Sequence, residues 1–316
     1  MSNIRIAERL PPRPTDDDLA YFRQVGVEAA SIWTTVEDAG YDYMAQTRQR
    51  LADHGIELWN VGILDLHCDP TMVLGLPGFD AKLEQYVNYL RDLGRAGIGY
   101  TTYAHMANIK MLPYYQSAVG QARGGLPTRE FDAGQARSLP LSHDRAYAED
   151  EIWSTFARFL QAAVPAAEEA GVRIGLHPDD PPVPSLGGVP RIFSSFDGYQ
   201  RAVDLADSPN FGLCLCVGTW AEGGAALGKD VYEMIDHFGA QNKLFKIHFR
   251  NVDQPMPVFR ETLVDDGYID MHRVIEGLHR TGFDGVLLPD HVPGDGRHAA
   301  YTLGYMRAVR KQVCCP

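Results

Sequence analysis

The sequence predicts a closed (β/α)8 barrel, and three observations carry that reading. β-rich runs of four to eight residues alternate eight times with segments of helical period. Strict alternation implies parallel strands joined by right-handed crossovers. The length of 316 residues suits one eight-unit barrel, which takes about 250 residues plus insertions, better than an open doubly wound sheet.

The strands are read at Ile4–Ala7, Val27–Trp33, Ile56–Ile63, Ile98–His105, Val172–His177, Phe211–Cys216, Leu244–Phe249 and Gly285–Asp290. Between and after them, helical periodicity covers Asp16–Gln24, Asp42–Asp53, Asp80–Ala96 and Tyr147–Ala170, then Phe196–Ala206, Lys229–Phe238, Met271–Arg280 and Ala299–Lys311. The strings HGI, AGI, AGV and TGF place Gly55, Gly97, Gly171 and Gly282 just before a strand. Glycine there closes a helix in the left-handed conformation. No linker splits the chain, so residues 1–316 read as one barrel domain. No G-x-G-x-x-G follows a strand and no phosphate-binding G-x-x-x-x-G-K-[ST] occurs, which removes the dinucleotide and P-loop readings.

Two loops are long. Met106–Ser142, after strand four, contains Pro113, Tyr114, Tyr115, Arg123 and Arg129; Asp179–Phe193, after strand five, is dense in Pro and Gly. Both leave the C-terminal ends of strands, the face on which barrels keep their active sites, and loops of this length are usually lids or binding loops.

Composition narrows the partners. A chain 45% hydrophobic and 22% charged is globular rather than disordered. With 29 basic and 41 acidic residues the formal charge is −12, which a phosphate backbone repels, so nucleic acid is not expected. No apolar run reaches the ~20 residues of a membrane span, and MSNIRIAERLPPRP lacks the apolar stretch of a signal peptide. The expected setting is cytoplasmic and the expected partner a small molecule. Association into a homo-oligomer through the long loops is compatible with the sequence. The five cysteines, Cys68, Cys214, Cys216, Cys314 and Cys315, read as reduced thiols, the last two as an incidental tail.

The chemistry gathers at the ends of strands five to eight, which read RIGLHPDD, GLCLCVGT, FKIHFRN and VLLPDHV. Their terminal residues include His177, Cys216, His248 and Asp290. Any one alone would be an ordinary hydrogen-bonded histidine, a small buried thiol or a helix cap. Four coordinating types at equivalent places on four consecutive strands converge over the barrel mouth as a divalent transition-metal site. Beside them, His291 is placed for acid–base work and Arg250 offers a two-pronged fork for a carboxylate. Asp179 and Asp180 either accept substrate hydroxyls and hold a ligand histidine, or form an Asx turn before Pro181. His67 and His105 follow strands three and four and could line the pocket. His54 and His279 suit helix C-termini instead.

These residues resemble the mannonate dehydratases, metal-dependent enzymes related to the xylose isomerase-like TIM barrels. The resemblance rests on EEAGVRIGLHPDDPP with GVPRIF, LCVGT, KIHFRNV and GFDGVLLPDHV, and on VLGLPGFDAKLEQYVNYLRDLGRAGIGYTTY; it runs from about residue 15 to the C-terminus. It implies Mn²⁺ held by His177, Cys216, His248 and Asp290, although the donor set also suits Zn²⁺, Fe²⁺ or Co²⁺. It also implies a reaction, loss of water from D-mannonate to give 2-dehydro-3-deoxy-D-gluconate, with His291 and Asp290 at the acid–base step. Two segments depart from the family. Where its catalytic Tyr follows PG, this chain has PDHVPGDGRHAAYTLGY, which places Asp295 there and leaves Tyr301 or Tyr305 as substitutes. After strand four, YAHMANIKMLPYYQ replaces a run containing Trp and Arg. The expected site is therefore His291, Asp290 and Tyr301 for catalysis, with Arg250, Asp179 and His105 on the substrate. The competing reading is a metal-dependent sugar isomerase, epimerase or lyase acting on another polyol in the same site.

Overall fold

The structure, a computed structural model, describes residues 3–111 and 116–314. Pro113, Tyr114, Tyr115 and Cys315, singled out above, lie outside the described residues.

Eight strands form the barrel wall: β1 (Arg5–Leu10), β2 (Ala29–Thr34), β3 (Glu57–Ile63), β4 (Tyr100–Tyr103), β5 (Arg173–Leu176), β6 (Phe211–Cys216), β7 (Leu244–Phe249) and β8 (Val286–Pro289). All ladders between them are parallel, in the order β3-β2-β1-β8-β7-β6-β5-β4. The wall is nearly closed: among the described residues, only the seam between β3 and β4 has no ladder. Every strand and helix expected from the sequence is present, with ends shifted by a few residues.

Local chemistry explains where the helices begin and stop. Thr15 and Asp18 cap the first helix (Asp16–Gln24) reciprocally, each side chain taking the other's backbone N–H. Asp230 and Glu233 do the same for Val231–Ala240. The four closing glycines, Gly55, Gly97, Gly171 and Gly282, all take positive φ between 66° and 75°.

Two cores result from the alternation of side chains along each strand. Inside the barrel, Ala7 and Ala29 make room for Trp59, Tyr100 and Phe245. Outside it, aromatic side chains seal strands to helices; Tyr103 stacks on Phe159 with centroids 4.0 Å apart. Among the described residues no helix is long and apolar enough to cross a membrane.

The two long loops carry more structure than their composition suggests. In the first, Ala118–Ala122 and Leu126–Asp132 form an antiparallel hairpin. Leu126–Asp132 then pairs with Val258–Thr262, which follows β7 and in turn pairs with Asn251–Val252. This four-stranded cap buries Phe131, Val252 and Phe259 over the barrel mouth, next to Leu186 and Ala221. In the second loop Ser185–Leu186 pairs with Val189–Pro190 across Gly187 and Gly188, both at positive φ as a tight two-residue hairpin turn requires.

Helix Phe79–Arg95 crosses the end of Glu149–Ala170 at Gly94. A methyl group on Gly94 would stand 2.3 Å from the Ala170 carbonyl oxygen, which belongs to backbone and cannot swing aside. Gly94→Ala is expected to destabilise the fold by roughly 1–3 kcal/mol through overpacking. That loss outweighs the ~1 kcal/mol alanine gains as a helix former. Urea unfolding with an unchanged m-value and a lower midpoint is the check.

Candidate metal centre

Parallel register brings the donors together. Cys216, the last residue of β6, is the ladder partner of His248 on β7, and His177 follows β5 next door. The coordinating atoms of His177, Cys216 and His248 all lie within 4.8 Å of one another. His177 Nε2 stands 3.1 Å from His248 Nδ1, and Asp290 Oδ2 is 3.6 Å from that same Nδ1. The compact set is thus three residues, with Asp290 at its edge.

The tautomers suit a cation. Pro178 O can only accept, so at 2.8 Å it holds the proton on His177 Nδ1 and leaves the Nε2 lone pair facing His248. Burial pulls His177 below the usual histidine range and His248 well below it, so both rings are neutral. His248 Nε2 is buried and has no hydrogen-bond partner among the described residues. Burial pushes the Cys216 thiol up, against the pull of Arg250. Burial also acts to raise Asp290, but His291, His248, Arg250 and Arg9 outweigh it and hold its carboxyl well below the ordinary range. Two imidazole lone pairs, a thiol beside a guanidinium and an ionised carboxylate fit a divalent transition metal.

A cavity of about 530 Å³ opens above this cluster. His177, His248 and Asp290 line it from β5, β7 and β8, and Trp33, His67 and Thr102 from β2, the end of β3 and β4; Arg9, Lys110, Arg129, Asp180 and His291 line it as well. His291 has φ of 48°, a left-handed conformation that costs a β-carbon-bearing residue energy unless its surroundings impose it. Glu261 Oε1 meets its Nδ1 at 2.8 Å, and Arg129 Nη1 lies 2.8 and 2.9 Å from the two ring nitrogens. Both partners belong to the cap strands. Its Nε2 is 3.6 Å from Asp290 Oδ2.

Four expected residues stand elsewhere. Arg250 offers no free fork: it is 2% exposed, with Nη1 bonded to Glu222 (2.6 Å) and Glu261 (2.7 Å). Its Nη2 donates to Asp180 (2.8 Å), Thr219 Oγ1 (3.0 Å) and Cys216 Sγ (3.4 Å). Asp179 turns away from the cavity to accept from Phe193 N at 2.7 Å, so Asp180 is the one of the pair that reaches it. His105 lies on the helix side of the wall, bonded to Tyr103 OH and Thr155 Oγ1 and packed on Phe156. Tyr301 is 46% exposed on the C-terminal helix and donates to Asp265. Tyr305 packs against the core beneath that helix, and Asp295 binds Arg297 and His298 at its start. None of these three lines the cavity. The residues the sequence reading left unassigned are Arg129, Glu222 and Glu261, whose positions depend on the cap and on the helix after β6 (Val217–Gly223).

Arg250→Met is expected to cost roughly 3–5 kcal/mol, because it leaves buried carboxylates without their counter-charge. Arg250→Lys should recover only part of that, since an ammonium cannot bond Glu222, Glu261 and Asp180 as a planar fork does. Guanidinium unfolding together with metal content by elemental analysis reads both effects; an unchanged midpoint for Arg250→Met would dismiss the role.

The family described as D-mannonate dehydratase (UxuA) matches residues 115–310. Mannonate dehydratase 2 of Halalkalibacterium halodurans is 30% identical over 268 residues, 77% of this chain and 76% of that one. The mannonate dehydratase of Streptococcus pneumoniae is 27% identical over 270 residues, 78% of this chain and 72% of its own. The crystal structure of mannonate dehydratase from Streptococcus suis serotype 2 superposes with a TM-score of 0.86, at 23% identity, covering 98% of this chain and 95% of that one. A xylose isomerase domain protein from Planctomyces limnophilus shares the barrel at a TM-score of 0.67 and 12% identity. The epimerase or isomerase reading is not favoured by these matches, and the chain belongs to the D-mannonate dehydratase family.

Proposed function

We propose that this enzyme removes water from D-mannonate to give 2-dehydro-3-deoxy-D-gluconate, with Mn²⁺ held by His177, Cys216, His248 and Asp290. The observation that carries the reading is the buried His-Cys-His cluster opening into a cavity that His291 overlooks. When bound, the cation supplies Lewis-acid polarisation of substrate oxygens.

The remaining chemistry falls to the chain's own groups. Glu261 accepts from His291 Nδ1, which fixes the proton there, and Nε2 accepts from Arg129 Nη1 until substrate takes that place and meets Nε2 as the base. His291 Nε2 takes the C2 proton; the ring then holds that proton beside the departing C3 hydroxyl, which leaves as water. The resulting enol tautomerises to the 2-keto acid. With Tyr301 at the surface, no tyrosine is needed in this scheme. Arg9, Lys110 and Arg129 at the rim supply the positive charge that a substrate carboxylate meets, since Arg250 is fully engaged. The buried free thiols Cys68, Cys214 and Cys216 suit a reducing compartment, and we place the enzyme in the cytoplasm.

Incubation of Mn²⁺-loaded protein with D-mannonate should yield a 2-keto-3-deoxy acid; absence of product across a panel of aldonic acids rejects the function. His248→Ala is expected to lose bound metal and at least ~100-fold of kcat while far-UV circular dichroism stays unchanged, as loss of a coordinating group predicts. Wild-type metal content in that variant refutes the ligand assignment.

A further inference from the structure

The metal cluster occupies the β5–β8 side of the mouth, so a sugar acid whose acid end is held there must lay its polyol tail towards the opposite wall. That wall presents one polar side chain whose hydrogen bonding is incomplete. His67, at the end of the short helix Leu64–His67 after β3, is 7% exposed and lines the cavity. Its Nδ1 is 2.9 Å from the Thr102 carbonyl oxygen on β4. A carbonyl can only accept, so Nδ1 carries the proton of the neutral ring and Nε2 carries a lone pair. Among the described residues Nε2 has no protein partner, yet it is not sealed off as the orphaned buried atoms are.

The ring is also locked in place. Trp33, at the end of β2, meets it edge to face with centroids 4.6 Å apart. Trp33 in turn lies flat over Gly62 on β3, where a methyl group would come within 2.5 Å of the indole. Gly62, Trp33 and His67 thus build a rigid shelf of one apolar face and one fixed acceptor, a combination that suits the C–H surface and hydroxyls of a polyol. Burial draws His67 down to about 3, so it stays an uncharged acceptor through the physiological range.

We propose that His67 Nε2 accepts a hydrogen bond from one hydroxyl of the C4–C6 tail and is a specificity-determining residue of the substrate site. The proposal rests on the sugar-acid reading above, and turnover of D-mannonate judges that reading separately. The direct test measures binding to Mn²⁺-loaded protein by calorimetry, using 3-deoxy-D-mannonate, which has no C3 hydroxyl to lose and so is not dehydrated. Further arms use analogues that also lack the C4, C5 or C6 hydroxyl.

His67→Phe keeps the ring's packing on Trp33 and removes the acceptor. It should bind 3-deoxy-D-mannonate roughly 3- to 10-fold more weakly, the worth of one neutral hydrogen bond. Exactly one of the further deoxy analogues should bind wild type and variant alike, because the hydroxyl that His67 reads is missing from it. His67→Gln, whose amide oxygen can accept, should restore part of the affinity and guards against a folding defect in the Phe variant. Equal affinity of wild type and His67→Phe for 3-deoxy-D-mannonate overturns the proposal. So does the same loss against every analogue, or a wild type that binds none of them. A wild type that shows the expected pattern but does not dehydrate D-mannonate removes the proposed reaction alone.

Discussion

The architecture of the mouth depends on one buried guanidinium. Arg250 gathers Asp180 from the loop after β5, Glu222 from the helix after β6 and Glu261 from the cap, and it touches the Cys216 thiol as well. Burial pushes Glu222 well above the ordinary carboxylate range, and the nearby Asp180, Cys216 and Glu261 charges add to this against Arg250. A cluster of this kind does little for net stability, since removing its charges from water costs about as much as their attraction returns. What it provides is position: three mouth segments cannot move independently while they share one fork. The chain makes room for it at Gly218, where a methyl group would lie 2.5 Å from Arg250 Nε. The Gly in LCVGT after β6 therefore serves the arginine that follows the next strand, β7.

The same arginine links the metal side of the cavity to the cap. Glu261 bonds Arg250 with the oxygen that also meets His291 Nδ1, so His291 is oriented by a residue that the hub itself positions. His291 sits in a left-handed backbone conformation, and Glu261 and Arg129 are the partners that hold its ring there. Both come from strands that pair only when Leu126–Asp132 and Val258–Thr262 meet. The barrel alone can present the candidate ligands. His291 takes its partners from two loops, separated by more than a hundred residues, that assemble over the barrel.

This division also sets what could be read from the sequence. Barrel strands and helices were legible because each leaves a local signature, periodicity or a closing glycine, and a coordinating residue at a strand end pointed to the His177, Cys216 and His248 cluster, with Asp290 at its edge. Arg250 was misread because two residues past His248 it looks like a free fork, and no local pattern shows that Glu222 and Glu261 fold back onto it. Asp179 and Asp180 differ by one position, and the direction each side chain takes after the strand end decides which reaches the cavity. His105 was placed by its distance along the chain, whereas its ring is drawn to the aromatic layer of Tyr103, Phe156 and Phe193. Tyr301 stands in for the family's tyrosine after PG, where this chain has Asp295, but the helix Gly296–Cys314 starts early enough to carry it to the outer face. The cap hairpin was hidden because LPTREFD begins beside Gly124-Gly125 and contains Pro127, which read as loop; its Pro stands near the hairpin turn, opposite Gln121.

With Arg250 committed to carboxylates of the protein, the electrostatics of the cavity become directional. The chain as a whole is acidic, at −12, so an anionic substrate is not drawn by net charge. Local charge must do it: Arg9, Lys110 and Arg129 line the cavity together with the candidate ligands His177, His248 and Asp290, and a cleft concentrates such a field. Lys110 is paired with Asp65, and Arg129 with His291, so each is held in position at the rim. The wall formed by Trp33, His67 and Thr102 carries no formal charge, because the His67 ring is neutral. Lys110, held on Asp65 of the His67 helix, and Arg9, on β1 beside β2, bring positive charge close to that wall, so the cavity sets cationic groups around a neutral, hydrogen-bonding face. A linear sugar acid has the matching polarity, a carboxylate at one end and hydroxyls along the rest.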